Sequence, residues 1–107
     1  MDTQKKIHEL VTSSPVVLFM KGTPQFPQCG FSSRAVQILK ACGVQNLVTV
    51  DVLADPEIRQ GVKDYANWPT VPQLYIAGEF IGGSDIMTEM YEAGDLQKCV
   101  ALLTQTS

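Results

Sequence analysis

Few residues of this chain can do chemistry. Its 107 residues include three cysteines, Cys29, Cys42 and Cys99, and one histidine, His8. Cys29 follows a strand-like run and a Gly/Pro loop and precedes a helical pattern. A helix N-terminus presents unpaired N–H groups and a partial positive charge, which lower a thiol pKa and favour the thiolate near neutral pH. Lys21, at the end of the preceding strand, adds a cation. A thiolate so placed can attack a disulfide or ligate a soft metal. Free cysteines are more often small buried residues, and Cys42 and Cys99, at partly apolar helical positions, read that way. An odd cysteine count without a Cys-x-x-Cys pair is a poor disulfide framework, and three widely spaced cysteines with one distant histidine lack the paired-ligand spacing of a zinc site. Chemistry at Cys29 therefore needs a partner from outside the chain.

The elements that position Cys29 follow from the hydrophobic pattern. Ile7, Leu10 and Val11 recur at helical spacing among Lys5, Lys6, His8 and Glu9, and Pro15 closes that helix. Val16-Val17-Leu18-Phe19-Met20 reads as a fully buried strand. Residues 21–28 hold one glycine and two prolines and read as a loop. A helix is expected over 33–42, with Gly43 as its stop, and a second strand over 47–53. Asp55-Pro56-Glu57 opens a helix that runs to about Ala66, with Asp at the N-cap and Pro at the first helical position. Residues 74–76 and 79–81 flank Ala77-Gly78 as a hairpin. Two final helices begin near Ser84 and Asp95. The first two strands flank a helix and should pair in parallel; the hairpin adds two antiparallel strands. The expected architecture is α/β, a four-stranded mixed β-sheet flanked by about five helices, with residues 1–107 as a single domain.

Composition excludes several classes. Hydrophobic residues make up 45% and charged residues 18%, too apolar for a disordered chain. A net charge of −3 argues against nucleic-acid binding. No apolar run approaches the roughly 20 residues of a membrane span. With no apolar signal segment after Met1 and no Arg-rich leader, the chain reads as cytoplasmic, although a mature organellar form would look the same.

Three blocks in register carry a family resemblance. Lys21-Gly22-Thr23-Pro24 followed by Cys29-Gly30-Phe31-Ser32 looks like the signature of the monothiol glutaredoxins. Trp68-Pro69-Thr70-Val71-Pro72-Gln73-Leu74-Tyr75 and Gly82-Gly83-Ser84-Asp85 resemble that family's other two blocks, in the same order. The resemblance covers about residues 3–104, is closest to the single-domain branch, and implies a thioredoxin fold that binds glutathione. Lys21 and Arg59 are then the expected clamp for the glycine carboxylate. Val71, before a cis Pro72, would pair its backbone with the extended tripeptide. Ser84 and Asp85, opening a helix, would hold the γ-glutamyl carboxylate through backbone N–H groups, with the Asp85 carboxylate meeting the ammonium. Taken singly, each of these is an ordinary surface charge, cap or turn; their joint occurrence around Cys29 carries the reading.

Position 32 is Ser, so no resolving thiol stands three residues after Cys29. A [2Fe–2S] cluster usually takes four ligands. Cys29 and one glutathione from each of two chains supply four, and the resemblance implies this arrangement: a glutathione-ligated [2Fe–2S] cluster shared by a homodimer, monomeric as the apo form, and passed to apo iron–sulfur proteins. It also implies pairing with a BolA-like protein. The longer loop at Gln25-Phe26-Pro27-Gln28 and the Trp68-Pro69 pair mark the same branch. Ser84 departs from the cysteine many members carry there. Two alternatives accompany the carrier: a glutathione-dependent thiol–disulfide oxidoreductase that removes glutathione from proteins, with Cys29 as the nucleophile, and an iron- or redox-responsive adaptor acting with a BolA-like partner.

Overall fold

The computed structural model describes residues 2–105. Its order is α1 (Thr3–Thr12), β1 (Val16–Met20), α2 (Gly30–Ala41), β2 (Leu47–Asp51), a 3-10 turn (Val52–Ala54), α3 (Pro56–Ala66), β3 (Gln73–Ile76), β4 (Glu79–Gly82), α4 (Ser84–Ala93) and α5 (Asp95–Gln105). The strands form one sheet in the order β2-β1-β3-β4, with β1 and β2 parallel and the other pairings antiparallel.

The apolar alternation of β1 divides the core. Val16, Leu18 and Met20 join Ala35, Val36, Leu39, Met87 and Leu96 on the face covered by α2, α4 and α5. Val17 and Phe19 point the other way, into Ile7, Val11, Ile58, Val62 and Tyr75 beneath α1 and α3. Every β1 residue is therefore buried, as expected of a central strand covered on both faces. Burying each such side chain is worth about 1.5–3 kcal/mol.

Caps set the helix boundaries. Asp2 accepts from Gln4 N–H at 3.0 Å to start α1. Asp55 accepts from the N–H groups of Glu57 and Ile58 ahead of α3, with Pro56 at the first helical position. Asn67 ends α3 in the left-handed conformation (φ 51°). Ala77 (φ 52°) and Gly78 (φ 81°) form the two-residue β3–β4 turn, and positive φ at both positions matches the strand twist.

Two boundaries differ from the sequence expectation by more than one residue. The strand β2 ends at Asp51, not residue 53, because Asp51 Oδ1 accepts from Leu53 N–H at 2.9 Å and winds Val52–Ala54 into the 3-10 turn. The helix α2 starts at Gly30, three residues early, because the Cys29 side chain is its N-cap. Among the described residues, no helix is long and apolar enough to cross a membrane.

Candidate functional site

Cys29 stands in extended conformation (φ −153°, ψ 153°) immediately before α2, and Ser32 N–H donates to its Sγ at 3.3 Å. Sulfur here takes the place of the oxygen that usually caps a helix. Ser32 is fully buried. Its Oγ accepts from Lys21 N–H at 3.0 Å and lies 3.5 Å from Cys29 Sγ. One hydroxyl thus ties the end of β1 to the thiol. Partial burial pushes the Cys29 thiol up, but hydrogen bonds from the Ser32 side chain and from the Ser32 and Phe31 N–H groups, with the charge of Lys21, outweigh it. The net shift is below the ordinary thiol value.

The loop between β1 and Cys29 is folded onto itself. Gln28 N–H donates to Lys21 C=O at 2.9 Å, Phe26 N–H to Thr23 C=O at 3.1 Å, and Gly22 pairs with Pro27. Gly22 has φ +89°, and a methyl group on it would lie 2.5 Å from Phe26 O and 2.8 Å from Gln28 N. Only glycine fits that turn. Asp51 Oδ1 accepts from Gly22 N–H at 2.9 Å, pinning the loop to the end of β2. Phe26 stands at the loop's tip, 74% exposed.

A groove of about 550 Å³ opens beside Cys29, lined by Lys21, Phe31, Lys63, the Trp68–Pro72 segment and Gly83–Ile86. That volume suits a small-molecule ligand. The Val71–Pro72 peptide bond is cis. Among the described residues, no backbone hydrogen bond engages the N–H or C=O of Val71. Gly83 caps α4 without a side-chain hydrogen bond, leaving the first-turn N–H groups of the helix uncapped by any side chain. Such a terminus attracts anions. A methyl group on Gly83 would lie 3.3 Å from Pro72 O and 3.4 Å from Trp68 Nε1, so the missing side chain lets α4 approach the cis-proline turn.

Of the residues expected from the sequence, Lys21, Cys29, Val71, Ser84 and Asp85 all line this groove. Arg59 does not; it is exposed on α3, one turn before Lys63. Lys63, which the sequence did not single out, lines the groove in its place, half-buried. Phe31 was also missed as a groove residue. It is 65% exposed beside the thiol, and its apolar ring off the buried stripe of α2 was the available signal.

Cys42 is the C-cap of α2. Thirteen residues at 1.5 Å per residue put it roughly 20 Å from Cys29. Burial pushes its thiol up. No thiol of this chain within one helix turn can resolve a disulfide at Cys29, because position 32 is the buried serine.

Residues 16–81 match the family model described as Glutaredoxin. The chain belongs to the glutaredoxin family. Its relatives place it on the monothiol branch. A Synechocystis protein named as an uncharacterized monothiol glutaredoxin, ycf64-like, is 58% identical over 97 residues, 91% of this chain and 90% of that protein. Glutaredoxin 4 of Escherichia coli K12 is 49% identical over 92% of this chain and 84% of its own length. The zebrafish mitochondrial glutaredoxin-related protein 5 is 52% identical over 87% of this chain, which spans only 60% of that longer relative. Among solved structures, reduced poplar apo GrxS14 superposes with a TM-score of 0.79 at 52% identity, covering 92% of this chain and 89% of its own. The holo form of poplar glutaredoxin C1 gives 0.82 at 27%, covering 92% and 86%. A buckwheat glutaredoxin–glutathione complex gives 0.81 at 26%, covering 92% and 87%. The fold of this glutaredoxin is accordingly the thioredoxin-like one: a four-stranded mixed sheet and five helices.

Proposed function

We propose that this glutaredoxin binds glutathione along the groove and that Cys29, with the glutathione thiol, ligates a [2Fe–2S] cluster between two copies of the chain, for delivery to apo-proteins. The observation that carries the reading is the pairing of an activated Cys29 with a buried Ser32. The site offers one soft donor and no second thiol beside it. Among the described residues, no group of three or more His, Cys, Asp or Glu side chains is placed to hold a metal. A four-ligand cluster here therefore draws its other donors from a second copy and from two glutathiones, which is the donor arithmetic of the proposal.

The groove suits glutathione from end to end. Lys21 and Lys63 flank it as cations for the glycine carboxylate, with Arg59 adding charge from the preceding turn of α3. Val71 offers an unpaired N–H and C=O to the tripeptide backbone. The open N-terminus of α4 at Ser84 and Asp85 suits the γ-glutamyl carboxylate, and the Asp85 side chain suits its ammonium. The likeness to the buckwheat glutathione complex supports this. The cytoplasm, or an organelle interior for a mature form, is the compartment we propose, and the single glutaredoxin domain is the unit that acts.

The lowered Cys29 thiol favours a second reading, thiol exchange. Its thiolate would attack the glutathione sulfur of a protein mixed disulfide, forming a Cys29–glutathione disulfide and releasing the protein thiolate. A second glutathione thiolate would then free Cys29 and leave as oxidised glutathione. A glutathione-coupled reduction assay separates the readings. The carrier predicts slow turnover; rapid turnover would make exchange the main activity.

A further inference from the structure

We infer that Gln73 is the positioning residue of the glutathione groove, clamping the Trp68–Thr70 wall so that Val71 meets the bound peptide. The inference rests on the glutathione reading above for its ligand, but its geometry is independent of it.

Gln73 opens β3 and is fully buried. Its Nε2 donates to Trp68 O at 3.3 Å and to Thr70 O at 3.2 Å, while its Oε1 accepts from the Tyr75 hydroxyl at 3.1 Å. Two carbonyls can only accept, so the amide NH₂ must face them and the amide oxygen must face Tyr75. Tyr75 is itself buried, packed edge-on to Phe19 (5.6 Å between ring centroids), with Tyr65 and Phe80 also against it. Burial and the neighbouring Tyr65 hold its hydroxyl well above the ordinary tyrosine value, so it stays a donor.

The wall needs this clamp because it has little else. Residues 68–72 belong to no helix or strand, and Pro69 and Pro72 have no N–H to give. Among the described residues, the other backbone hydrogen bond holding the segment is Trp68 N–H to Lys63 O, at 3.0 Å. Among the described residues, Gln73 thus supplies the only hydrogen bonds between the sheet and the wall. With Trp68 O and Thr70 O satisfied from inside, the Val71 N–H and C=O between them and β3 are left for a ligand. The same clamp seats the Trp68 ring against Phe80, 5.6 Å between centroids, and beside Gly83 at the mouth of α4.

The chain has one tryptophan, so the wall reports on itself. In Gln73→Met, which keeps the length and loses both polar ends, Trp68 emission should shift and its acrylamide quenching rise at least twofold without glutathione. Glutathione affinity, by calorimetry, should fall roughly tenfold. Tyr75→Phe removes only the donor to Oε1, is the milder variant should Gln73→Met fail to fold, and should move both readouts the same way by less. Leu39→Ala, fully buried on α2 in the core of the opposite sheet face, should lower the melting temperature and move neither. Unchanged Trp68 quenching and unchanged glutathione affinity in a folded Gln73→Met would overturn the inference. If the wild-type chain binds no glutathione, the ligand reading falls; the Trp68 quenching comparison then decides the clamp alone.

Discussion

Cys29 and Cys42 cap opposite ends of the same helix, roughly 20 Å apart by helix rise. They are driven in opposite directions. The first is drawn below the ordinary thiol pKa by Ser32, Phe31 and Lys21 against the effect of its own partial burial, and the second is pushed up by burial. Alkylation should therefore be selective. The rate at Cys29 should reach half its plateau at a lower pH than a free thiol, and Cys42 should stay largely unmodified at pH 7. Because folding lowers the Cys29 pKa, the unfolded chain binds more protons there. That contribution to stability is fully present above the unfolded thiol pKa and is lost as pH falls through the folded one. Peptide mapping after timed iodoacetamide treatment across pH checks the order; equal labelling at both sites would contradict it.

Serine is a better helix cap than cysteine. Cys29→Ser should keep the cap to Ser32 N–H and leave stability within about 0.5 kcal/mol of the wild type, as expected for a conservative, partly exposed change. Cluster binding should be lost completely. Parallel thermal melts and visible spectra after reconstitution test both halves. A full cluster spectrum in the variant would remove Cys29 as a ligand.

Lys63 lines the groove and Arg59 does not, though the two are one helical turn apart on α3. Lys63→Gln should therefore weaken glutathione binding by about 5- to 20-fold, the worth of one charge-assisted hydrogen bond. Arg59→Ala should weaken it less, chiefly at low salt, where distant charges are poorly screened. Calorimetric titrations at two ionic strengths give the order. A larger loss for Arg59→Ala at physiological salt would restore Arg59 as the principal clamp.

Gly22→Ala puts a side chain at φ +89° and within 2.5 Å of a backbone oxygen. The left-handed strain alone costs about 1–2 kcal/mol. The loop must open, carrying Lys21 and Gln28 away from Cys29, so glutathione affinity should fall along with the melting temperature. Retention of wild-type affinity would show that the closed loop is not needed for binding.

Much of this was legible in the sequence because the signals were local. The apolar run of β1, the Asp55-Pro56 start of α3 and the Ala77-Gly78 turn each act within a few residues, and each appears where the chain pattern puts it. The motif positions Lys21, Cys29, Val71, Ser84 and Asp85 converge because all lie where loops meet element ends on one edge of the fold. What escaped depends on contacts distant in sequence or on unusual caps. The start of α2 was placed late because a thiol, not a hydroxyl or carboxylate, caps it. The end of β2 was placed late because Asp51 serves both its own 3-10 turn and Gly22, 29 residues away. Lys63 looks like any helix surface charge until the Trp68–Thr70 wall folds against it. Gln73 sits in an alternating strand pattern, where nothing local tells a buried amide from an exposed one.

Whether the chain holds a shared cluster is decided by anaerobic reconstitution with iron and sulfide, with and without glutathione, read by visible absorption and native mass together. A coloured dimer is expected, formed only with glutathione and containing one [2Fe–2S] cluster and two glutathiones per two chains. A colourless monomer that still binds glutathione would contradict the shared cluster and leave thiol exchange at Cys29 as the function of the site.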